Sequence, residues 1–150
     1  MEALSMSSFE LDLRNAIKSH DEIRVRTLRS IKAALQSREI EQGRGTLVEA
    51  DILAVLQKQA KQRRDSMSQF ESAGRIDLFK REEDELAIIE TYLPKQLSPS
   101  DLEAIVREAI EATNAESARD MGRVMGVVMQ KVKGRADGNL VREAVTRLLG

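Results

Sequence analysis

Apolar residues recur along nearly the whole chain at spacings of three and four, the period of a helix that buries one face. Phe9, Leu13, Ala16 and Ile17 mark a short first helix, opened by Ser7 or Ser8 as N-cap and broken at Ser19-His20-Asp21. Val25, Leu28, Ile31 and Leu35 carry a second from Asp21 to Gln42, which Gly43-Arg44-Gly45 ends. Thr46-Leu47-Val48-Glu49 matches the capping box, in which the Thr hydroxyl and the Glu carboxylate each satisfy an orphan backbone N–H at a helix start. The third helix it predicts has a thin seam, Leu53, Leu56, Ala60, Met67 and Phe70, interrupted by Arg63 and Arg64, and runs to Ala73-Gly74. A fourth, from Ile76 to Tyr92, places Phe79, Leu86, Ile89 and Leu93 on one stripe with Leu78, Ile88 and Tyr92 beside it, and Pro94 stops it.

Both prolines of the chain, Pro94 and Pro99, fall within one short segment, where a domain boundary is expected: a helical N-terminal subdomain over 1–93, a linker over 94–99 and a C-terminal subdomain over 100–150. Ser98-Pro99-Ser100-Asp101 opens the next helix with an N-cap Ser, a Pro at the first helical position and an acid that complements the dipole. Its buried face is Leu102, Ile105, Val106, Ala109 and Ile110. Ser117-Ala118-Arg119-Asp120 caps another helix, carried by Met121, Val124, Met125, Val128 and Val132 and closed at Gly134. After the turn Asp137-Gly138-Asn139, the residues Leu140, Val141, Ala144, Val145, Leu148 and Leu149 form a last apolar face. No segment shows convincing period-two alternation and no internal repeat is visible. The expected fold is all-α, about four helices followed by a compact three-helix subdomain, and βαβ alternation is disfavoured.

Composition narrows the chemistry. The chain has 150 residues, 24 basic and 25 acidic, a formal net charge of −1 and 41% hydrophobic residues, a soluble globular balance. With no Cys there is no disulfide, thiolate nucleophile or Cys-based metal site, and His20 as the single His leaves no His pair for a metal. Phe9, Phe70, Phe79 and Tyr92 are too few and scattered for a base-stacking platform. No run approaches the ~20 apolar residues of a membrane span, and the start lacks the pattern of a signal peptide. A cytoplasmic protein with no membrane partner is therefore expected. No phosphate-loop, dinucleotide or nucleophile-elbow motif occurs, so no catalytic residue, cofactor or metal is assigned.

Charge is unevenly placed. Lys58, Lys61, Arg63 and Arg64 lie within two helical turns, with no acid between Asp51 and Asp65. Such a stripe suits phosphate contacts, which need positive charge at helix spacing; it equally suits a solvated face, or pairing with Glu82-Glu83-Asp84-Glu85 across a hairpin turning at Ala73-Gly74. A second group, Lys131, Lys133 and Arg135, gathers around Gly134, where cations also complement a helix C-terminus. From Arg119 onward there are seven cations against three acids, whereas Leu97 to Ala118 holds one cation against five acids. Gly122 and Gly126 share a helix face, each at a propensity cost of about 1 kcal/mol, and close packing of another helix or of a ligand backbone is expected there. Met121, Met125 and Met129 read as adaptable core or interface. Arg24, Arg26, Arg29 and Lys32 near the start of the second helix are an exposed polar face or a contact for phosphate or an acidic partner. His20 reads as a surface residue, and Glu82 with Glu85 as solvated acids more than as a Mg²⁺ site.

These residues together resemble a family. Thr91-Tyr92-Leu93-Pro94-Lys95-Gln96-Leu97-Ser98, Asp120-Met121-Gly122-Arg123-Val124-Met125-Gly126 and Lys131-Val132-Lys133-Gly134-Arg135-Ala136-Asp137-Gly138 look like the GatB/YqeY family, and above all its free-standing YqeY-like members. Arg24-Val25-Arg26-Thr27-Leu28-Arg29, Lys61-Gln62-Arg63-Arg64-Asp65-Ser66 and Phe70-Glu71-Ser72-Ala73-Gly74-Arg75 match it as well. The resemblance implies likeness to the C-terminal tail of the B subunit of the tRNA-dependent amidotransferase, a helical module in two subdomains that helps recognise the tRNA body while catalysis occurs elsewhere. Family labelling would attach carbon–nitrogen ligase activity with glutamine as amido donor, and no catalysis is expected of this chain alone. The expected function is binding of tRNA or other structured RNA by shape and phosphate contacts through Lys131, Lys133 and Arg135, with Lys58, Lys61, Arg63 and Arg64 as a second patch. An accessory role beside amidotransferase subunits and a protein-interaction adaptor are the alternatives.

Overall fold

A computed structural model describes residues 4–43 and 45–150. Among them the regular structure is seven α-helices and one short 3-10 turn, with no strand. The chain forms two compact units, Met1–Leu93 and Pro94–Gly150.

The first unit contains α1 (Met6–Lys18), α2 (Glu22–Gln42), α3 (Glu49–Ser72) and α4 (Ile76–Glu90). α1 packs on α2, α3 on α4, and α2 touches both α3 and α4. The core they share holds Phe9, Leu28, Ile31, Leu35, Ile52, Leu56 and Ile89, all essentially sealed from solvent. Burying each such side chain contributes about 1.5–3 kcal/mol, and this layer rather than helix propensity holds the unit together. On α3 no residue beyond Ala60 is buried, and on α4 none before Glu85. The distal part of the α3–α4 hairpin is thus a two-helix arm closed by half-buried Met67, Phe70, Leu78 and Phe79, which is what the thin seam in the sequence anticipates.

Two helix starts differ from expectation. Ser5, not Ser7 or Ser8, caps α1, and Ser8 completes the box by accepting from the Ser5 N–H at 3.0 Å. The capping box at Thr46–Glu49 does not form: Val48 is the N-cap of α3 and makes no side-chain cap bond. Glu49 is then the first helical residue, too early to reach back to the cap, and its carboxylate accepts from the Leu4 N–H at 2.9 Å instead. Gly43 ends α2 at φ 62°, the left-handed conformation that Gly adopts without penalty.

The second unit is a three-helix bundle of α5 (Pro99–Thr113), α6 (Met121–Val132) and α7 (Gly138–Leu149), each packed on the other two. Ser98 caps α5 with Pro99 at its start, Asp137 caps α7, and the 3-10 turn Ala118–Asp120, itself capped by Ser117, leads into α6. Leu102, Val106, Ala109, Val124, Val128, Val132, Val141 and Val145 form the core. The segment before α5 belongs to this unit: the Leu97 N–H donates to the Arg135 carbonyl at 2.8 Å, and the Gln96 side-chain amide to the Gly134 carbonyl at 3.1 Å.

Candidate nucleic-acid interface

The four cations of α3 do not form one stripe. Arg63 turns into the hairpin, its side chain only 15% exposed, and its Nε faces Glu82 Oε2 at 3.5 Å and Glu85 Oε2 at 3.7 Å. Its Nη2 donates to Ser30 Oγ at 3.2 Å. Arg26 Nε donates to the other Glu85 oxygen at 3.1 Å, so one buried carboxylate bridges two guanidinium groups. Arg63 Nε and Glu82 Oε2 make no hydrogen bond, so the contacts of Arg63 Nε with Glu82 and Glu85 are Coulombic, and the hydrogen bond that Glu85 accepts comes from Arg26. Lys61 pairs with Asp65 at 3.0 Å and Arg64 with Glu90 at 3.5 Å, both at the surface. Lys58 is exposed and makes no ion pair among the described residues. Of the four cations of the expected α3 patch, Arg63 lies inside the hairpin beside an acidic helix, whereas Lys58 and Arg64 are exposed and Lys61 partly so.

At the end of α6 the cations meet different partners. Arg135 folds back so that Nη2 donates to the Lys131 carbonyl at 2.7 Å and Nε to the Val132 carbonyl at 3.2 Å. It satisfies carbonyls that every helix leaves open at its C-terminus, where the dipole also favours positive charge. Lys131 reaches Glu108 on α5 at 3.4 Å, with both groups exposed. Lys133 is the C-cap of α6, at φ 39° and ψ 58°, exposed and with no ion pair among the described residues. The bonds from the Gln96 side chain to Gly134 and from the Leu97 N–H to Arg135 tie the segment that carries Lys95 to the turn that follows α6. Lys95 is exposed and likewise unpaired among the described residues. Sequence reasoning missed it because Pro94-Lys95 reads as linker; only the pairing of 96–97 with 134–135 reveals its place.

Gly122 and Gly126 are not packing sites. A Cβ built at either would meet nothing within 4 Å, and both glycines are exposed. Spacings of four, three and four put Gly122, Gly126, Met129 and Lys133 in one row along the outside of α6. Met129 is 41% exposed, whereas Met121 and Met125 are partly buried against the core of the unit. A shallow groove of about 400 Å³ beside this row is lined by Thr113, Gly122, Arg123, Gly126, Val127 and Gln130. Arg123 donates to the Thr113 carbonyl at 3.2 Å and pairs with Asp120. The Glu116 N–H and Arg123 hold the Asp120 carboxyl below the usual carboxylate range.

Of the α2 cations, Arg24 donates to Tyr92 Oη at 3.2 Å and Arg26 to Glu85, so neither belongs to a free polar face. The Tyr92 hydroxyl donates to Asp12 Oδ2 at 2.6 Å, and its ring lies 4.8 Å from that of Phe9. Burial and the bond to Asp12 push the Tyr92 phenol well above its ordinary range. His20 is exposed in the α1–α2 turn at φ 58°. Among the described residues no three acids or histidines gather where a metal would sit, and no helix is long and apolar enough to cross a membrane.

Residues 6–149 match the family model described as Yqey-like protein. The chain is 28% identical over 152 residues to a protein of Pyrenophora tritici-repentis named Altered inheritance of mitochondria protein 41, mitochondrial, covering 99% of this chain and 83% of the relative. It is 31% identical over 127 residues to the protein of that name from Clavispora lusitaniae, covering 85% of this chain and 73% of the relative. To the one from Saccharomyces cerevisiae it is 26% identical over 115 residues, covering 75% and 62%. These names place the relatives in mitochondria, which overturns the cytoplasmic expectation. That expectation rested on composition and on a missing span, and neither distinguishes one aqueous compartment from another.

Proposed function

From the premise that the chain belongs to the Yqey-like protein family, we propose that it is a non-catalytic module that binds structured RNA, tRNA above all, as the tail of the amidotransferase B subunit is expected to do. The observation that carries the reading is the end of α6: Lys133, exposed and without an ion pair among the described residues, follows an open row of two glycines, and the segment bonded to the same turn carries Lys95, exposed and unpaired in the same sense. Phosphates supply the missing charge, and the glycines let a sugar–phosphate backbone approach the helix without meeting a Cβ. Lys133 holds a left-handed backbone without being Gly, a strain of about 1–2 kcal/mol, and a charged side chain kept at such a position speaks for a use at the surface. Lys131 adds a further cation, since its exposed pair with Glu108 contributes no more than about 1 kcal/mol and yields to a phosphate. With few aromatic side chains, readout is of shape and backbone.

The test is tRNA binding over a salt series with the Lys95→Glu/Lys133→Glu variant. We expect the log–log salt slope of the affinity to fall by about two and affinity at moderate salt to drop about tenfold or more. A flat salt response of the unaltered protein, or unchanged affinity in the variant, sinks the reading. In the same reading the chain presents tRNA to a glutamine-dependent amidotransferase. Adding it to the reconstituted enzyme then lowers the KM for tRNA, and no change in rate or affinity removes that extension.

A further inference from the structure

We infer that the α1–α2 hairpin carries a second phosphate-binding face, made by Arg14 and Arg29 with Lys18 one turn along; this rests on the RNA reading above. The register of the hairpin comes from Lys32 and Glu10, which pair across it at 3.9 Å. α1 and α2 run antiparallel through the turn at 19–21. Arg14 lies four residues after Glu10 and Arg29 three before Lys32, so both stand on the side of that pair and at one level, roughly one helical turn away from it. Both are exposed, and neither makes an ion pair or hydrogen bond through its side chain among the described residues. Lys18, four residues beyond Arg14, is exposed and unpaired in the same sense.

Pairing is the rule elsewhere on α2. Arg24 bonds Tyr92, Arg26 bonds Glu85, Lys32 meets Glu10 and Arg38 meets Asp51 at 3.6 Å. Arg29 is the described exception, and by the register above Arg14 stands at its level on α1. Two like charges side by side on neighbouring helices repel, and neither sits in a last turn where the helix dipole would favour it. An anion between them converts that repulsion into two charge-assisted contacts, and guanidinium forks match phosphate oxygens. The cations favour a sugar–phosphate polymer, whose regularly spaced charges can meet Arg14, Arg29 and Lys18 together, while the exposed Leu11, Ile17 and Ile23 nearby make a lipid surface the alternative that the experiment must separate.

The experiment is tRNA binding by the full chain across a salt series, with thermal unfolding of each variant. Arg14→Gln/Arg29→Gln is expected to lower affinity about tenfold and the salt slope by about two, with Tm unchanged or raised because a repulsion is relieved. Arg14→Lys/Arg29→Lys, which keeps the charges, is expected to retain most of the affinity. An unchanged affinity in the Gln variant while Lys95→Glu/Lys133→Glu weakens binding overturns this face and leaves the α6 site standing. A loss of affinity accompanied by a fall in Tm overturns it too, since the arginines would then be structural. Binding to vesicles containing phosphatidylserine that the Gln variant abolishes, with tRNA binding intact, assigns the pair to a membrane and also overturns it. Absence of tRNA binding by the unaltered chain overturns both readings.

Discussion

Between Lys58 and Arg64 the cations of α3 run along a helix that has an acidic helix against it, whereas between Lys131 and Arg135 the cations of α6 lie where a helix ends. In the first region the countercharges are carboxylates, and the most buried cation, Arg63, shares Glu85 with Arg26 from a third helix. In the second they are main-chain carbonyls for Arg135, an exposed acid on α5 for Lys131 and, among the described residues, none for Lys133. The same residue types at the same density therefore do different work. Charge in the hairpin closes the layer beyond the apolar core at Ala60 and Ile89, and charge at the end of α6 is left available.

That difference is broken most forcefully at Glu85. Removing its carboxylate by Glu85→Ala leaves the largely buried Arg63 with Ser30 and, as its acid, only the poorly aligned Glu82, and Arg26 without its acid. Loss of one partner from a buried ionic cluster costs on the order of 3 kcal/mol, which denaturant titration of the full chain reads directly. Lys58→Ala, five residues before Arg63 and exposed, is expected to change stability by less than about 0.5 kcal/mol. Equal losses at the two positions would mean that α3 has a uniform charged stripe after all.

Much of this arrangement is legible in the sequence, and the part that is not has a common cause. The helices follow from three–four spacing because each buries one face, whereas the thin seam of α3 divides: Leu56 and Ala60 are buried in the core, and Met67 and Phe70 are only half-buried. Whether Arg63 meets solvent or Glu82 depends on how α3 and α4 rotate against each other, which periodicity leaves open by tens of degrees. The Thr46–Glu49 box failed for a similar reason: a one-residue difference in helix start moves the Glu out of reach. Lys95 is invisible because its position is set by hydrogen bonds to 134–135, almost forty residues away.

The next effect in size is at Arg135. Arg135→Ala removes two hydrogen bonds to the open carbonyls of the last turn of α6 and a cation from the negative end of its dipole. The expected cost is about 1–2 kcal/mol, seen as a lowered midpoint in thermal or denaturant unfolding. Lys133→Ala, by contrast, loses no bond within the protein, so its effect appears in RNA affinity and not in unfolding. If Arg135→Ala leaves stability untouched, its folded-back geometry is incidental and Arg135 returns to the list of residues open to a phosphate.

The smallest effect has the opposite sign and tests the open row on α6. Neither Gly122 nor Gly126 has a positive φ, and a Cβ at either meets nothing within 4 Å, so Ala fits both without strain. Ala is better than Gly in a helix by about 0.5–1 kcal/mol per site, partly because it restricts the unfolded chain. Gly122→Ala and Gly126→Ala should each raise the unfolding midpoint slightly, and together by roughly the sum. If the glycines serve the close approach of a sugar–phosphate backbone, the same substitutions weaken tRNA binding while the protein becomes more stable. A destabilised double variant would show that α6 is packed on this face in solution, and a stabilised one with full tRNA affinity would move the RNA contact off the glycines and onto Lys95 and Lys133 alone.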